Sequence, residues 1–187
     1  MTISPFDKEA YNECYANSER YKQHYKDVDY FCVWKCVSDK LSENDKILDL
    51  GCGPGHLAHM LYDKGVKTFV GIDFSSVGIK MARAKVSSYT FIEADLNSVN
   101  YDRYSDFKFV SVEVFEHLKN DIEVIKKLPK NYMIFSVPNY LCVDHYRTYD
   151  NEEFISKYYK NVLEIVNIES FSMGRKNIIY VVECNIK

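Results

Sequence analysis

No two of the six cysteines, at 14, 32, 36, 52, 142 and 184, form a C-x-x-C pair, so a zinc knuckle is not expected. Cys32 and Cys36 stand four apart, the spacing of side chains that pack along one turn of a helix. Apolar runs of about 18 residues are also missing, which excludes a membrane-spanning helix. Asp7, Lys8 and Glu9 arrive before any apolar stretch, so the N-terminus does not read as a signal peptide. Positive charge is not in excess. Lys and Arg number 24 against 27 Asp and Glu, for a formal net charge of −3. A general attraction to phosphate backbones is therefore absent, and nucleic acid is not the expected partner. Internal repeats, low-complexity tracts and linkers are absent as well. What remains is one domain over residues 1–187, with reduced thiols, expected in the cytoplasm as a monomer or homodimer.

The length suffices to bury about two-thirds of the extended chain's surface. Hydrophobic residues make up 47% and charged residues 27%, ordinary values for a globular protein. The one unusual abundance is tyrosine, 16 of 187 residues. Such residues pack, or sit half-buried with a wet hydroxyl, or line a pocket.

The most informative stretch is Lys46-Ile47-Leu48-Asp49-Leu50-Gly51-Cys52-Gly53-Pro54-Gly55-His56. Ile47–Leu50 reads as a buried strand, and Leu57–Asp63 is compatible with a helix. Three glycines at alternate positions between them bring bare backbone and a helix N-terminus close to a ligand. The dinucleotide fingerprint G-x-G-x-x-G fails because its sixth position is His56, and the Gly-Lys-Ser/Thr of a P-loop is missing. Asp49, at the strand end, is positioned to accept hydrogen bonds from the ligand or from the loop amides.

The second strand, Lys67–Asp73, ends in an acid 18 residues after Gly55. A carboxylate there can accept both hydroxyls of a ribose, and it would repel the ribose phosphate of NADP. Phe74 follows, able to pack on a base, and Ser75-Ser76 offers an N-cap for a helix over 76–86. A third strand over 89–94 is followed by Asp95-Leu96. A fourth, Phe107–Val112, runs into Glu113-Val114-Phe115-Glu116-His117, and a fifth, Tyr132–Val137, is apolar throughout. Two helices, near 7–17 and 27–41, precede the first strand, with Ser4–Asp7 as a turn before them. A helix over 119–128, another over 150–160 and two closing strands over 162–171 and 177–184 complete the pattern.

The segment Asp49-x-Gly51-x-Gly53-x-Gly55 resembles the first motif of the class I S-adenosylmethionine (SAM) dependent methyltransferases. The resemblance covers about residues 46–185. It implies an α/β fold with a three-layer, Rossmann-like sheet of seven strands, mostly parallel with one antiparallel strand. Residues 1–43 would be a helical extension over the active site and 44–187 the core. It further implies that SAM, with S-adenosylhomocysteine as product, is held by Asp49, Gly51, Cys52, Gly53 and Gly55. Asp73 and Phe74 would bind the ribose and adenine. Asp95 would meet the adenine amine, with Leu96 and Glu113 beside the cofactor.

Glu113-x-x-Glu116-His117 resembles the segment after strand four in the ubiquinone-pathway O-methyltransferases. It also resembles the metal-binding segment of small-RNA 3′-terminal 2′-O-methyltransferases. Three roles stay open for it. His117 could act as general base, its free pKa lying near neutrality. Glu113, Glu116 and His117, with the later His145, could hold a divalent ion, although no residue is assigned to a metal. Or Glu116 and His117 could simply orient a loop. Arg147 could pair with an acidic substrate group or bridge a local carboxylate. Tyr11 and Tyr15 would face the acceptor with Glu116, His117 and His145. The implied function is methyl transfer to an oxygen or nitrogen of a small molecule. The alternatives are a metal-assisted RNA 2′-O-methyltransferase and a non-catalytic SAM-binding subunit.

Overall fold

The computed structural model describes residues 7–187, which fall into two compact units, 7–99 and 100–187. The turn expected at Ser4–Asp7 lies outside the described residues except for Asp7. That residue caps helix α1 (Lys8–Asn17), its carboxylate accepting the Ala10 amide at 2.9 Å.

In the 7–99 unit, strands β1 (Lys46–Leu50), β2 (Thr68–Asp73) and β3 (Thr90–Glu93) pair in parallel, in the order β3-β2-β1. Parallel neighbours need long crossovers, and helices α3 (His56–Lys64) and α4 (Ser76–Lys85) supply them. Covered on both faces, β1 reads as a nearly continuous apolar run, and Ile47, Leu48 and Leu50 are fully buried. Helix α2 (Phe31–Asp39) is shorter than the expected 27–41. The apolar spacing continues upstream, but the backbone there is a separate 3₁₀ turn, Tyr25–Asp27, followed by an extended Val28. Gly55 fixes how closely α4 approaches the loop that precedes α3. Its φ is 80°, and a Cβ on it would stand 2.8 Å from the Ala82 Cβ.

In the 100–187 unit, β4 (Lys108–Val112) pairs in parallel with β5 (Tyr132–Pro138) across helix α5 (Asp121–Lys126). After helix α6 (Glu152–Tyr159), β6 (Leu163–Ser172) and β7 (Ile178–Ile186) form a hairpin whose second strand runs antiparallel to β5. A bulge interrupts the hairpin register between Ile165 and Asn167. Both faces of β5 are covered, with Met133, Ile134 and Phe135 fully buried, and Val182 and Cys184 of β7 are buried against it. The Asp121 carboxylate is buried as well, and it is well supplied with donors. Tyr159 donates at 2.8 Å, Tyr158 at 3.1 Å, and the Arg147 guanidinium lies at 3.1 Å.

Across the chain the strand order is β3-β2-β1-β4-β5-β7-β6, a seven-stranded sheet in which β7 alone is antiparallel to its neighbours, as expected. Among the described residues no helix is long and apolar enough to cross a membrane. All six cysteines are free thiols.

The glycines separate two kinds of constraint. Gly55→Ala forces a side chain both into a left-handed backbone and against Ala82, at a cost of about 3 kcal/mol. Gly174→Ala meets only the backbone penalty, because nothing lies within 4 Å of its Cβ, and costs about 1–2 kcal/mol. Urea denaturation of the two variants should rank them in that order.

Candidate active site

β1 delivers Asp49, and the chain then turns through Gly51, Gly53 and Gly55 with φ of 79°, 47° and 80°. Gly53 leaves room for an aromatic ring: a Cβ there would lie 3.2 Å from the Tyr15 hydroxyl. The amides of Gly51 and Cys52 both donate to the Ile72 carbonyl, at 2.8 and 3.0 Å, which pins the start of the loop to the end of β2. Asp73 completes the tie. Its Oδ2 accepts the Gly53 amide and its Oδ1 the Ser75 amide, each at 2.8 Å. One carboxylate thus joins the loops that follow two neighbouring strands.

Burial shapes the charge of this crevice. It lifts Asp49 to about 8, with the Asp73 carboxylate adding to the push. It lifts Asp73 only to about 6, because the two backbone amides favour the ionised form. Asp49 therefore holds its proton more tightly than Asp73 does. The Cys52 thiol is buried and pushed up by burial and by both acids, and a Cβ on Gly71 would stand 2.7 Å from its sulfur.

Helix α1 lies over these loops. Tyr15 packs on Gly53 and Gly78, and the Asn12 carboxamide oxygen accepts the Ser75 hydroxyl at 2.6 Å and the Val77 amide at 3.2 Å. Tyr11 sets its ring at an edge to Phe74, with centroids 5.2 Å apart, and Lys8 pairs with Glu93. Asp95 caps the turn Leu96–Ser98 by accepting the Asn97 amide at 2.8 Å, and Leu96 is buried beneath it.

A second constellation stands within residues 100–187, at the carboxyl ends of β4 and β5. Glu113 has a φ of 55°, a left-handed backbone that a side chain rarely adopts. It is held there by its amide donating to the Ser136 hydroxyl at 3.0 Å and by that hydroxyl donating to Glu113 Oε1 at 2.8 Å. The turn that follows, Phe115–His117, buries Glu116 completely, and neither Glu116 carboxylate oxygen has a hydrogen-bond partner among the described residues. His117 Nε2 lies 3.5 Å from Glu116 Oε1, while its Nδ1 lies 3.2 Å from both the carbonyl and the carboxylate of Asp144. The His145 ring stands at 84° to it with centroids 4.7 Å apart, and His145 Nδ1 lies 3.0 Å from the Tyr140 carbonyl.

Burial raises Glu116 to about 7, with His117 opposing. Burial would lower His117, but the Asp144 and Glu116 carboxylates outweigh it and raise this group above its ordinary value. His145 is lowered, by burial and by His117. Of the two roles open to Arg147, the structure shows the local one. Its guanidinium donates to the carbonyls of Phe115, Leu118 and Lys119 and pairs with Asp121.

Residues 47–130 match the family described as a methyltransferase domain. Trans-aconitate 2-methyltransferase of Rhizobium rhizogenes is 33% identical over 89 residues, 47% of this chain and 34% of that protein. The chain thus spans about a third of that relative's length. Magnesium protoporphyrin IX methyltransferase of Synechocystis PCC 6803, solved with bound SAM, superposes with a TM-score of 0.72 over 98% of this chain and 99% of that one, at 18% identity. A SAM-dependent methyltransferase of Aquifex aeolicus superposes with a TM-score of 0.67 over 97% of this chain and 100% of its own, at 12% identity. The last two likenesses are of fold.

Residues 47–130 are thus matched by a methyltransferase-domain family, and the fold is that of solved SAM-dependent methyltransferases. SAM is the cofactor of this family, and the crevice fits it. A carboxylate offers about four lone-pair sites, and the loop amides use two of those on Asp73, leaving capacity for two ribose hydroxyls. Around Gly53 the crevice is lined by backbone, where a side chain would meet Tyr15.

The structure brings Asp49, Gly51, Cys52, Gly53, Gly55, Asp73 and Phe74 together, with Tyr11 and Tyr15 of helix α1 packed against Phe74 and Gly53. Asp95 and Leu96 follow the end of β3. Within residues 100–187, Glu113, Glu116, His117 and His145 gather at the ends of β4 and β5. Sequence reasoning missed Asn12, Ser136, Tyr140 and Asp144. Only Asp144 carried a signal, its place beside His145.

The raised acid Asp49 has a measurable consequence. The folded chain holds this proton more tightly than the unfolded chain does, so its contribution to stability is full below about pH 4 and is lost as pH rises through about 8. Asp73 acts in the same direction through about 6. Melting of the ligand-free domain should therefore fall over that window, and Asp49→Asn should flatten the fall, raising Tm at pH 9 by about 5 °C or more. An unchanged slope would contradict the assignment.

Proposed function

We propose that this domain transfers a methyl group from SAM to an oxygen or nitrogen of a small molecule. The observation that carries this reading is the Asp73 carboxylate, which ties Gly53 to Ser75 and still has two acceptor sites to offer. Acceptors named for its likenesses are small, trans-aconitate in one and magnesium protoporphyrin IX in another. The net charge of −3 favours such an acceptor over nucleic acid. The likeness to the ubiquinone-pathway enzymes rests on Glu113, Glu116 and His117.

SAM supplies a methyl group already activated by the sulfonium, so the residues must mainly position the reactants and handle a proton. Asp73 accepts the ribose hydroxyls, and Phe74 and Leu96 flank the base. Burial holds Asp49 toward its neutral form, and a cationic ligand beside it would draw it toward the ionised one. His117, held by Asp144 through Nδ1, presents Nε2 to take the acceptor's proton. Arg147 braces the 115–119 turn that carries it.

Calorimetric titration with SAM and S-adenosylhomocysteine tests the crevice. Asp73→Ala should weaken both by about 10–100-fold, the loss of two hydrogen bonds to a charged acceptor. Unchanged affinity would remove Asp73 from the site. Methyl transfer from labelled SAM to a panel of hydroxy, carboxy and amino acceptors tests the reaction. In it, His117→Ala should lower turnover by about 100-fold or more while SAM affinity stays within about twofold. Tight SAM binding with no transfer to any acceptor would favour a non-catalytic subunit.

A further inference from the structure

A single 3₁₀ turn does little to hold its own shape. The turn Phe115–His117 closes two backbone bonds locally, from His117 to Val114 at 3.0 Å and from Leu118 to Phe115 at 3.3 Å. The rest of its support comes from across the chain. The Tyr146 amide donates to the Glu116 carbonyl at 2.8 Å. The Arg147 guanidinium donates to the carbonyls of Phe115, Leu118 and Lys119 at 2.8, 2.7 and 2.9 Å. Two neighbouring residues thus hold the carbonyls of 115, 116, 118 and 119, and one planar group holds three of them. Where that group stands decides where the turn stands, and His117 with it.

Arg147 is held in its turn by one carboxylate. Asp121 Oδ1 lies 3.1 Å from its Nη1, and the Tyr158 ring flanks the guanidinium, its centroid 5.6 Å from Cζ. Asp121 begins α5 but is fixed from α6. Tyr158 donates to Oδ1 at 3.1 Å and Tyr159 to Oδ2 at 2.8 Å, while the Tyr149 hydroxyl stands 2.7 Å from that of Tyr159.

Stability alone gives little reason for this arrangement. The desolvation of a buried ion pair roughly offsets its attraction, and apolar residues of equal volume often serve as well. What the pair supplies is direction. A guanidinium anchored at one nitrogen by a fixed carboxylate points its remaining hydrogens at a defined place, here a run of backbone carbonyls.

We propose that Asp121, fixed by Tyr158 and Tyr159, is a positioning residue for methyl transfer. Acting through Arg147, it sets the 115–119 turn and so the place of His117. The proposal deepens the function put forward above and rests on it only for the role of His117 as base.

Steady-state methyl transfer and imidazole ¹⁵N spectra of the full chain test it, the His117 signals being assigned by their loss in His117→Ala. Asp121→Asn keeps the shape of the side chain and removes its charge. In that variant kcat should fall by about tenfold or more while KM for SAM stays within about twofold, as expected when a reacting group is displaced. The His117 ring signals should shift, and those of His56 on α3 should not. Tyr159→Phe should act in the same direction with a smaller effect. Arg147→Lys should lose at least as much as Asp121→Asn, because one ammonium does not replace the planar fan of donors. Adding Asp121→Asn to Arg147→Lys should then lower kcat no further, whereas a general structural role would make the two losses multiply. Circular dichroism reports whether each variant is folded, and if Asp121→Asn is not, Tyr159→Phe decides. Unchanged kcat or unmoved His117 signals in the folded deciding variant would overturn the proposal, and so would multiplying losses in the double variant. Wild-type chain that transfers no methyl group overturns the function alone, because the ring signals report the placement of His117 without turnover.

Discussion

The Asp73 carboxylate is the constraint on which the crevice depends. The turns of the loop after β1 are made by glycines, which bring no side chain of their own to hold them in place. Its shape is imposed from outside, by the end of β2: Ile72 through its carbonyl and Asp73 through Oδ2. The other oxygen of Asp73 fixes the start of α4 through Ser75. Asn12 then reads that start from α1, accepting from Ser75 and Val77. A single acid thus sets the positions of a loop, a helix N-terminus and, through them, a second helix. Burial makes this acid costly to ionise, and the two amides are what keep it near 6 where its neighbour Asp49 rises to about 8.

The 100–187 unit solves the same problem in two opposite ways. Asp121 is buried with a full set of donors from Tyr158, Tyr159 and Arg147, and it serves as an anchor. Glu116 is buried without any. The two acids are five positions apart, and Arg147 stands with Asp121 while its remaining hydrogens go to backbone carbonyls. The left-handed Glu113 adds to the contrast, since its strained backbone is held by Ser136 through both its amide and its carboxylate.

Much of this was legible in the sequence. Strands buried on both faces announce themselves as unbroken apolar runs, which is why β1, β2 and β5 were found within a residue or two of their ends. The glycine spacing and the acid at the end of β2 were readable because each is local. Side-chain partners distant along the chain were not. Nothing near Glu93 says that Lys8 will pair with it, and nothing near His117 points to Asp144. The second helix was drawn too long because apolar spacing continues through Tyr25, although the backbone is extended at Val28. The isolation of Glu116 could not be read at all, since an unmet hydrogen bond is a property of the packed neighbourhood and not of residue order.

The contact of Gly55 with Ala82 carries a different implication. The loop before α3 and the helix α4 are spaced by one hydrogen atom facing one methyl group, with Cβ-to-Cβ room of only 2.8 Å had both been alanine. Neither position can grow unless the other shrinks, and the glycine has nothing left to lose. Among descendants of this chain, size at position 82 is therefore capped by the geometry of position 55, so the two should drift together or not at all.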